Sequence, residues 1–328
     1  MTIYTSVPSE NASKNTIIKS NKNFKSIVTD YLICIEKNLK VDLQDFKKKV
    51  TSLDNSKKFH PSIYLYFREV QESVKYGIIK DLKINLAKLY DSIISKQSNI
   101  DMSITSILSE DWEDEYVAHL REYDQKDICG NTTVVLPIDE HELYYHKNNI
   151  IKAIEIIQKY VPELHQEIDS FVTHIKLFKG EVLRGDTSAR VLGAMWIRVP
   201  EQEDDQVGYW IEHIVHETSH IRLEHLFLMD KIVLNSAEEK VFKAPIRNDL
   251  RPMKGIFHAT FVLSRMIMAF YLISTKAKMH KRFRDRLQLC KLQYDIGKES
   301  LKHPMASFSE IGKGIIRTLD ETAHYSKL

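Results

Sequence analysis

The sequence has few of the residues that interrupt helices or crosslink chains. Of its 328 residues only 10 are glycine and 8 are proline, a composition that favours long helices. The three cysteines, Cys34, Cys129 and Cys290, lie far apart without a CxxC pair, which argues against a disulfide framework and indicates a reducing compartment. Lys plus Arg total 47 and Asp plus Glu total 45, so no strong global charge attracts nucleic acid or an anionic membrane.

Long apolar segments are also scarce. The first fifteen residues, MTIYTSVPSENASKN, lack the apolar core of a signal sequence, and we therefore expect a cytoplasmic protein. Residues 255–274, GIFHATFVLSRMIMAFYLIS, are long enough to span a membrane but include His258 and Arg265. An arginine near the centre of a lone span costs about 3 kcal/mol. These residues therefore predict a helix in the core of a soluble protein, with no membrane partner.

Hydrophobic periodicity predicts a mainly α fold with a small β-sheet (α+β). Helical patterns occupy residues 14–50, 60–95 (two helices) and 139–160, and another ends near 122. Clusters of β-branched residues predict strands near 131–137, 171–179 and 190–199. The residues that could bind a metal or take part in catalysis lie almost wholly after residue 180. We therefore expect a helical accessory region over 1–130 and a catalytic metal-binding domain over 131–328, with a soft boundary.

The segment richest in chemistry is HIVHETSHIRLEH, residues 213–225, which contains an HExxH at 216–220. Successive helix residues turn by about 100°, so His216 and His220 lie one above the other on a helix and can bind one cation. Glu217 is a quarter turn away and can reach a metal-bound water. The sequence predicts a metal site on this long helix, over 207–228, facing the apolar helix at 254–274.

A third protein ligand is needed, and the sequence offers two candidates. Glu239 follows His220 with eighteen residues between them, the spacing of a family of zinc aminopeptidases that carry HExxH and a downstream Glu. The alternative, which we favour, is that its segment, NSAEEK, is a solvated acidic turn. His258 lies in the apolar helix, where an imidazole needs a polar partner. That partner is either a metal or a hydrogen-bonding group of the core.

Two arginines are candidates for binding an anion. Arg265 lies seven residues after His258, two turns along the same helix, and a guanidinium in an apolar helix must find an anion. The anion is either a structural carboxylate or a bound carboxylate ligand. Arg251, just before Pro252, is the second candidate, with a loop salt bridge as its alternative.

These segments together resemble a known family. HETSHIRLEHLFLMDK followed by RPMKGIFHATFVLSR is similar to the HExxH-type peptide β-hydroxylases that use 2-oxoglutarate in the biosynthesis of ribosomally made, modified peptides (RiPPs). In that family the HExxH precedes an RPxxGxxH segment, which residues 251–258 match. TSARVLGAMWIRVP, 187–200, and FHPSIYLYFREV, 59–70, resemble further family segments, so the resemblance covers most of the chain from about 59 to 275.

The resemblance implies an iron(II) enzyme that uses 2-oxoglutarate and dioxygen to hydroxylate a side-chain β-carbon in a precursor peptide. It implies His216, His220 and His258 as the ligands, a departure from the commoner pair of histidines with one carboxylate. Arg265, or else Arg251, would pair with the distal carboxylate of 2-oxoglutarate. Glu217 would then orient a ligand or a bound water instead of acting as a hydrolytic base.

Two other functions stay open at this point. One is a zinc metallopeptidase with His216, His220 and Glu239 as ligands and Glu217 as general base. The other is a non-catalytic peptide-binding module with a degenerate site. Residues 1–130 are rich in Lys and Tyr, which suits recognition of the precursor peptide, although these helices also suit completion of the core. The sequence names neither the peptide nor the oligomeric state.

Overall fold

Helices make up most of the protein. The computed structural model describes residues 3–96, 100–122, 133–201, 205–246, 248–277 and 280–324. Over those ranges it contains eleven α-helices, one short 3-10 helix, one five-stranded mixed sheet and one two-stranded sheet. The prediction of a mainly α fold with a small β-sheet is therefore confirmed.

The elements are numbered in chain order. The α-helices are α1 Glu10–Leu39, α2 Gln44–Ser52, α3 Pro61–Tyr76, α4 Ile79–Ser95, α5 Glu113–Glu122, α6 Glu140–Tyr160, α7 Pro162–Phe171, α8 Gln206–Met229, α9 Met253–Lys276, α10 His280–Leu301 and α11 Glu310–Ala323. The strands are β1 Ser103–Ser106, β2 Val134–Leu136, β3 His174–Glu181, β4 Gly185–Asp186, β5 Ala194–Arg198, β6 Phe242–Lys243 and β7 Leu250–Arg251. The 3-10 helix, Ala189–Val191, comes just before β5.

The structure divides some predicted segments differently. The helical region expected over 14–50 is two helices, because Lys40 takes a left-handed φ of 52° after α1. The strand expected over 171–179 starts three residues later, since Phe171 still belongs to α7. Strand β1 was not predicted: its four residues carry little pattern of their own, and parallel pairing with β3 forms it. Of the strand expected near 131–137, residues 131 and 132 lie outside the described residues.

The chain folds into two compact units, each made of separate segments. The helical unit comprises Met1–Asn15, Tyr144–Ser170 and Pro200–Leu328; the sheet unit comprises Thr16–Leu143 and Phe171–Val199. Neither unit coincides with 1–130 or 131–328, and the predicted boundary between 130 and 131 lies outside the described residues. The assignment of accessory and catalytic roles to those two regions stays a prediction.

The sheet unit is organised around β3. Strands β1 and β5 pair with β3 in parallel, β2 pairs with it antiparallel near its end, and β4 pairs antiparallel with β5. Successive strand residues point to opposite faces, so His174 and Lys176 share one face of β3 while Ile175 and Leu177 share the other. All four are buried. This alternation places the imidazole of His174 and the ammonium of Lys176 on the same face of the sheet.

The helical unit is built on α9. This helix is long and apolar enough to cross a membrane by length and composition, yet 83% of its most apolar window is buried inside the protein. It packs against α8, α10 and α11. Phe257, Phe261 and Phe270 are fully buried there, and burial of such a side chain contributes about 1.5–3 kcal/mol. The apolar run is therefore the core helix of this unit, and α8 with its HExxH lies directly beside it.

Candidate metal centre

Helix α8 presents the two histidines of the HExxH to each other. The N-terminus of this helix is capped by Asp205, whose carboxylate accepts the backbone N–H of Gly208 at 2.8 Å. One helical turn separates His216 from His220, and their Nε2 atoms lie 3.1 Å apart. The predicted pairing of these two rings on one helix face is what the structure shows. Their function as metal ligands stays a prediction.

Helix α9 adds His258 to this pair. Its Nδ1 lies 3.4 Å from Nδ1 of His220, and Phe227 stacks on its ring with the centroids 5.1 Å apart. The other ring nitrogen, Nε2, lies 3.3 Å from Oε1 of Glu224 but has no hydrogen-bond partner, although it is buried. A buried ring nitrogen without a hydrogen-bond partner destabilises the folded protein unless a hydrogen-bond donor or a metal ion binds to it. His258 therefore has the environment of a ligand.

His216 contacts His220, and His220 contacts His258, but the three rings do not surround a single point. His220 directs Nε2 to His216 and Nδ1 to His258, so its two neighbours lie at different edges of its ring. Over the residues that the structure describes, these three side chains do not place one nitrogen each within 4.8 Å of one another. A shared ion therefore requires at least one of these rings to change its orientation.

Burial favours the neutral form of all three imidazoles. Burial, followed by the nearby His213, lowers the pKa of His216 to about 4. Burial also lowers the pKa of His220 well below its ordinary value, with His216 and His258 acting in the same direction. For His258, burial lowers the pKa against the opposing charge of Glu224. Neutral imidazole is the form that binds metal ions, so the site is ready to ligate without losing protons to solvent.

A column of polar residues extends the site along α8 in both directions. Glu212, His216, His220 and Glu224 recur every four residues and share one face of the helix. Glu212 forms ion pairs with Arg282, at 3.2 Å, and with Arg286 on α10. Sequence reasoning missed Glu224, although the four-residue spacing in HETSHIRLE was visible. Its carboxylate is the group closest to the unpaired nitrogen of His258 among the contacts described for that atom.

The two glutamates singled out in the sequence lie in different settings. Glu217 is buried on α8, next to His216 in the chain. Glu239 lies in a turn after α8, where its carboxylate accepts a hydrogen bond from Nδ2 of Asn235 at 2.7 Å. Among the contacts described for Glu239, none involves His216 or His220. This geometry favours the solvated-turn alternative for NSAEEK over a third zinc ligand.

Arg265 is held by groups of the protein itself. Its Nε donates to Ser219 Oγ at 3.0 Å, its Nη1 to the backbone oxygen of Ser6 at 2.7 Å, and its Nη2 to Glu167. Glu167 also lies 3.7 Å from Nε of Arg222, and all three charged side chains are fully buried. These contacts favour the structural carboxylate as the partner of Arg265. Through Ser219, this arginine also holds the turn of α8 that separates the two motif histidines.

Arg251, the second candidate for binding an anion, lies on the short strand β7. Its Nε is 2.7 Å from Oδ2 of Asp249, and its side chain is about one third exposed, at 37%. The loop salt bridge that the sequence left open is therefore present. The exposed guanidinium still has donors available to a ligand carboxylate, since only one of its nitrogens faces Asp249 among the described contacts.

Comparison with known proteins adds no identification. No protein-family model matches the chain, and no curated protein matches it. The resemblance to the HExxH-type hydroxylases therefore stays an expectation. The function is therefore inferred from the residues of α8 and α9 and from their geometry.

Proposed function

We propose that this protein is an iron(II)- and 2-oxoglutarate-dependent oxygenase that hydroxylates a side-chain β-carbon in a ribosomally synthesised precursor peptide. His216, His220 and His258 would hold the iron. The observation that carries the proposal is the approach of His258 on α9 to His220 on α8, with their Nδ1 atoms 3.4 Å apart, while Nε2 of His220 lies 3.1 Å from Nε2 of His216. Three partly buried imidazoles, one of them with a ring nitrogen that has no hydrogen-bond partner, fit a metal ion chemically.

The choice of metal rests on a separate argument. Imidazole ligands suit zinc, copper and nickel as well as iron, so three histidines alone do not select iron. The RPMKGIFH segment, 251–258, supports iron, because it resembles the second motif of the iron-dependent family and supplies His258. The zinc peptidase alternative needs Glu239 as its ligand, whereas the side-chain hydrogen bond described for Glu239 comes from Asn235.

The surrounding residues would position the ligands and keep water away. With iron bound, 2-oxoglutarate and dioxygen supply the oxidising power that an unactivated C–H bond requires. Phe227 stacks on His258, and Met266 places its sulfur 3.4 Å from Nδ1 of His216, so apolar groups cover both outer rings. Arg251 remains the candidate for the distal carboxylate of 2-oxoglutarate, since Arg265 is engaged with Glu167. We place the reaction in the cytoplasm, without nucleic acid or membrane as a partner.

The experiment compares two variants for which the iron oxygenase and the zinc peptidase hypotheses predict opposite effects on metal binding. The full chain is loaded with Fe(II) without oxygen and bound iron is measured. Dioxygen is then admitted, and succinate formation from 2-oxoglutarate is measured. We expect His258→Ala to lose iron and turnover, and Glu239→Gln to keep both. Loss of metal in Glu239→Gln with retention in His258→Ala would support the zinc peptidase. A wild-type chain that binds iron but never converts 2-oxoglutarate would overturn the oxygenase.

A further inference from the structure

A second group of metal-ligating side chains lies in the sheet unit, remote in sequence from the HExxH. His60 precedes α3, Glu110 precedes α5, and His174 opens β3. Over the described residues, this is the one group of three or more His, Cys, Asp or Glu side chains whose ligand atoms all lie within 4.8 Å of one another. We infer that His60, Glu110 and His174 form a second metal site, which binds zinc or a similar divalent transition metal.

The distances between these groups suit ligands better than direct hydrogen bonds. Nε2 of His174 lies 3.3 Å from Oε1 of Glu110, and Nε2 of His60 lies 3.6 Å from Oε2. A hydrogen bond between imidazole and carboxylate is shorter, about 2.7–2.9 Å. Zinc bonds of about 2.0–2.2 Å at the tetrahedral angle separate ligand atoms by about 3.3–3.6 Å. The observed spacing therefore leaves room for an ion between the carboxylate and the two rings.

The hydrogen bonds around His174 leave the ring nitrogen that faces Glu110 without a proton. Nδ1 of His174 lies 2.9 Å from Oγ1 of Thr173, and that hydroxyl donates its one proton to the backbone oxygen of Gly193 at 3.0 Å. Nδ1 is then the donor to Thr173, an assignment made from the network. Two acceptors, the Nε2 lone pair and a carboxylate oxygen, thus face each other at 3.3 Å. A cation between them removes this repulsion.

His60 has the same kind of support on its outer side. Its Nδ1 lies 2.8 Å from the hydroxyl of Ser62, which can accept the ring proton and leave Nε2 free to bind a metal. Histidines that ligate metals usually donate their other ring N–H to such a group. The same Nδ1 also accepts the backbone N–H of Ser62 in the cap of α3, at 3.2 Å, so metal binding would exchange this contact for the bond to the hydroxyl.

The local charge also suits a divalent cation. Glu113, fully buried, pairs with the equally buried Lys176 at 2.6 Å, and Lys176 additionally lies 3.0 Å from Oε1 of Glu110. Two carboxylates thus share one buried ammonium. Among the described residues, Glu110 also lies 3.6 Å from the half-exposed Lys96.

The site has one side toward solvent and one closed side. The side chains of His60 and His174 are almost completely buried, while that of Glu110 is 29% exposed. Trp112 packs edge-on against both rings, with centroid distances of 5.6 Å and 5.8 Å, and forms the apolar wall. Three protein ligands with one accessible side are typical of a centre whose fourth position takes water. The ion would also join the start of α3, the segment before α5 and strand β3.

The test separates this site from the one on α8. Zinc binding is measured by metal analysis after dialysis, first in the wild-type chain and then in a His220→Ala chain that lacks the α8 centre. We expect two zinc ions per wild-type chain and one per His220→Ala chain. Adding Glu110→Gln or His174→Asn should remove the remaining ion or weaken its binding at least a hundredfold. In the wild-type background, Glu110→Gln should lower the zinc content from two ions to one.

Glu113→Gln is the matched control, because it disturbs the same lysine without removing a ligand. It should keep the zinc that Glu110→Gln loses, with folding of every variant checked by circular dichroism. Zinc should also raise the melting temperature of the His220→Ala chain but not that of its Glu110→Gln derivative. A folded His220→Ala chain without zinc, or unchanged zinc content in Glu110→Gln, overturns the inference. Either result leaves the proposed iron centre untouched.

Discussion

The buried cluster of Arg222, Arg265 and Glu167 allows a quantitative test of what Arg265 does. Glu167 accepts a hydrogen bond from Arg265 and lies 3.7 Å from Arg222, with all three side chains fully buried. The substitution Glu167→Gln removes the carboxylate that faces both buried guanidinium groups. Removing one partner of a buried ion pair costs about 3–5 kcal/mol. This is a large share of the roughly 5–15 kcal/mol that stabilises a typical native protein.

We expect Glu167→Gln to lower the free energy of unfolding by that amount, measured in urea by far-ultraviolet circular dichroism because helices dominate the fold. With an m-value of about 3 kcal/mol/M, the midpoint of unfolding falls by about 1 M or more. Glu163→Gln, an exposed carboxylate on the same helix α7, is the matched control. Its effect should stay within about 0.5 kcal/mol.

A loss below about 1 kcal/mol in Glu167→Gln would refute this reasoning, since it falls well short of the cost of an unpaired buried charge. The guanidinium of Arg265 would then be free for an external carboxylate, and the prediction that it anchors 2-oxoglutarate would return. That outcome has its own check: Arg265→Lys should then raise the KM for 2-oxoglutarate about tenfold or more, because a hydrogen bond to a charged group contributes about 1.5–3 kcal/mol.

Three further predictions concern single positions. Gly180→Ala should destabilise the sheet unit by about 1–3 kcal/mol in urea unfolding, because the added Cβ would lie 1.8 Å from the backbone oxygen of Val134. An unchanged midpoint of unfolding would contradict the pairing of β2 with β3. Cys290 is buried, and burial raises its pKa to about 12, so it should resist alkylation at pH 8 while exposed Cys34 reacts, as peptide mass spectrometry would show. Asp205→Ala should cost about 0.5–2 kcal/mol by uncapping α8, whereas Asp205→Asn should be nearly neutral; equal losses would exclude capping as the cause.

Local patterns in the sequence predicted several of the helices, but not α7 and not the break between α1 and α2. The period of about 3.6 residues identified α6, α8 and α9, and the His60-Pro61 pair identified the start of α3, where His60 is the capping residue. Strand β1 escaped prediction because four residues carry too little periodicity. The division into two units escaped too, since each unit collects segments that are far apart in the chain.

The sequence by itself determined what depends on neighbours along the chain. Histidines four positions apart on a helix meet whatever surrounds them, so the HExxH alone placed His216 beside His220. It also determined that His258 and Arg265 needed polar partners, because both lie in an apolar helix. What it left open was the identity of those partners.

Only the tertiary structure decided which distant residues meet. It brought His258 to His220 across 38 positions of sequence and gave Arg265 its partner Glu167 across 98. It also brought His60, Glu110 and His174 together from three segments that share no local spacing. Contacts of this kind follow from how helices and strands pack, and packing depends on the whole set of buried side chains instead of any one stretch. A periodic pattern reveals that a helix has a buried face, but not what lies against it.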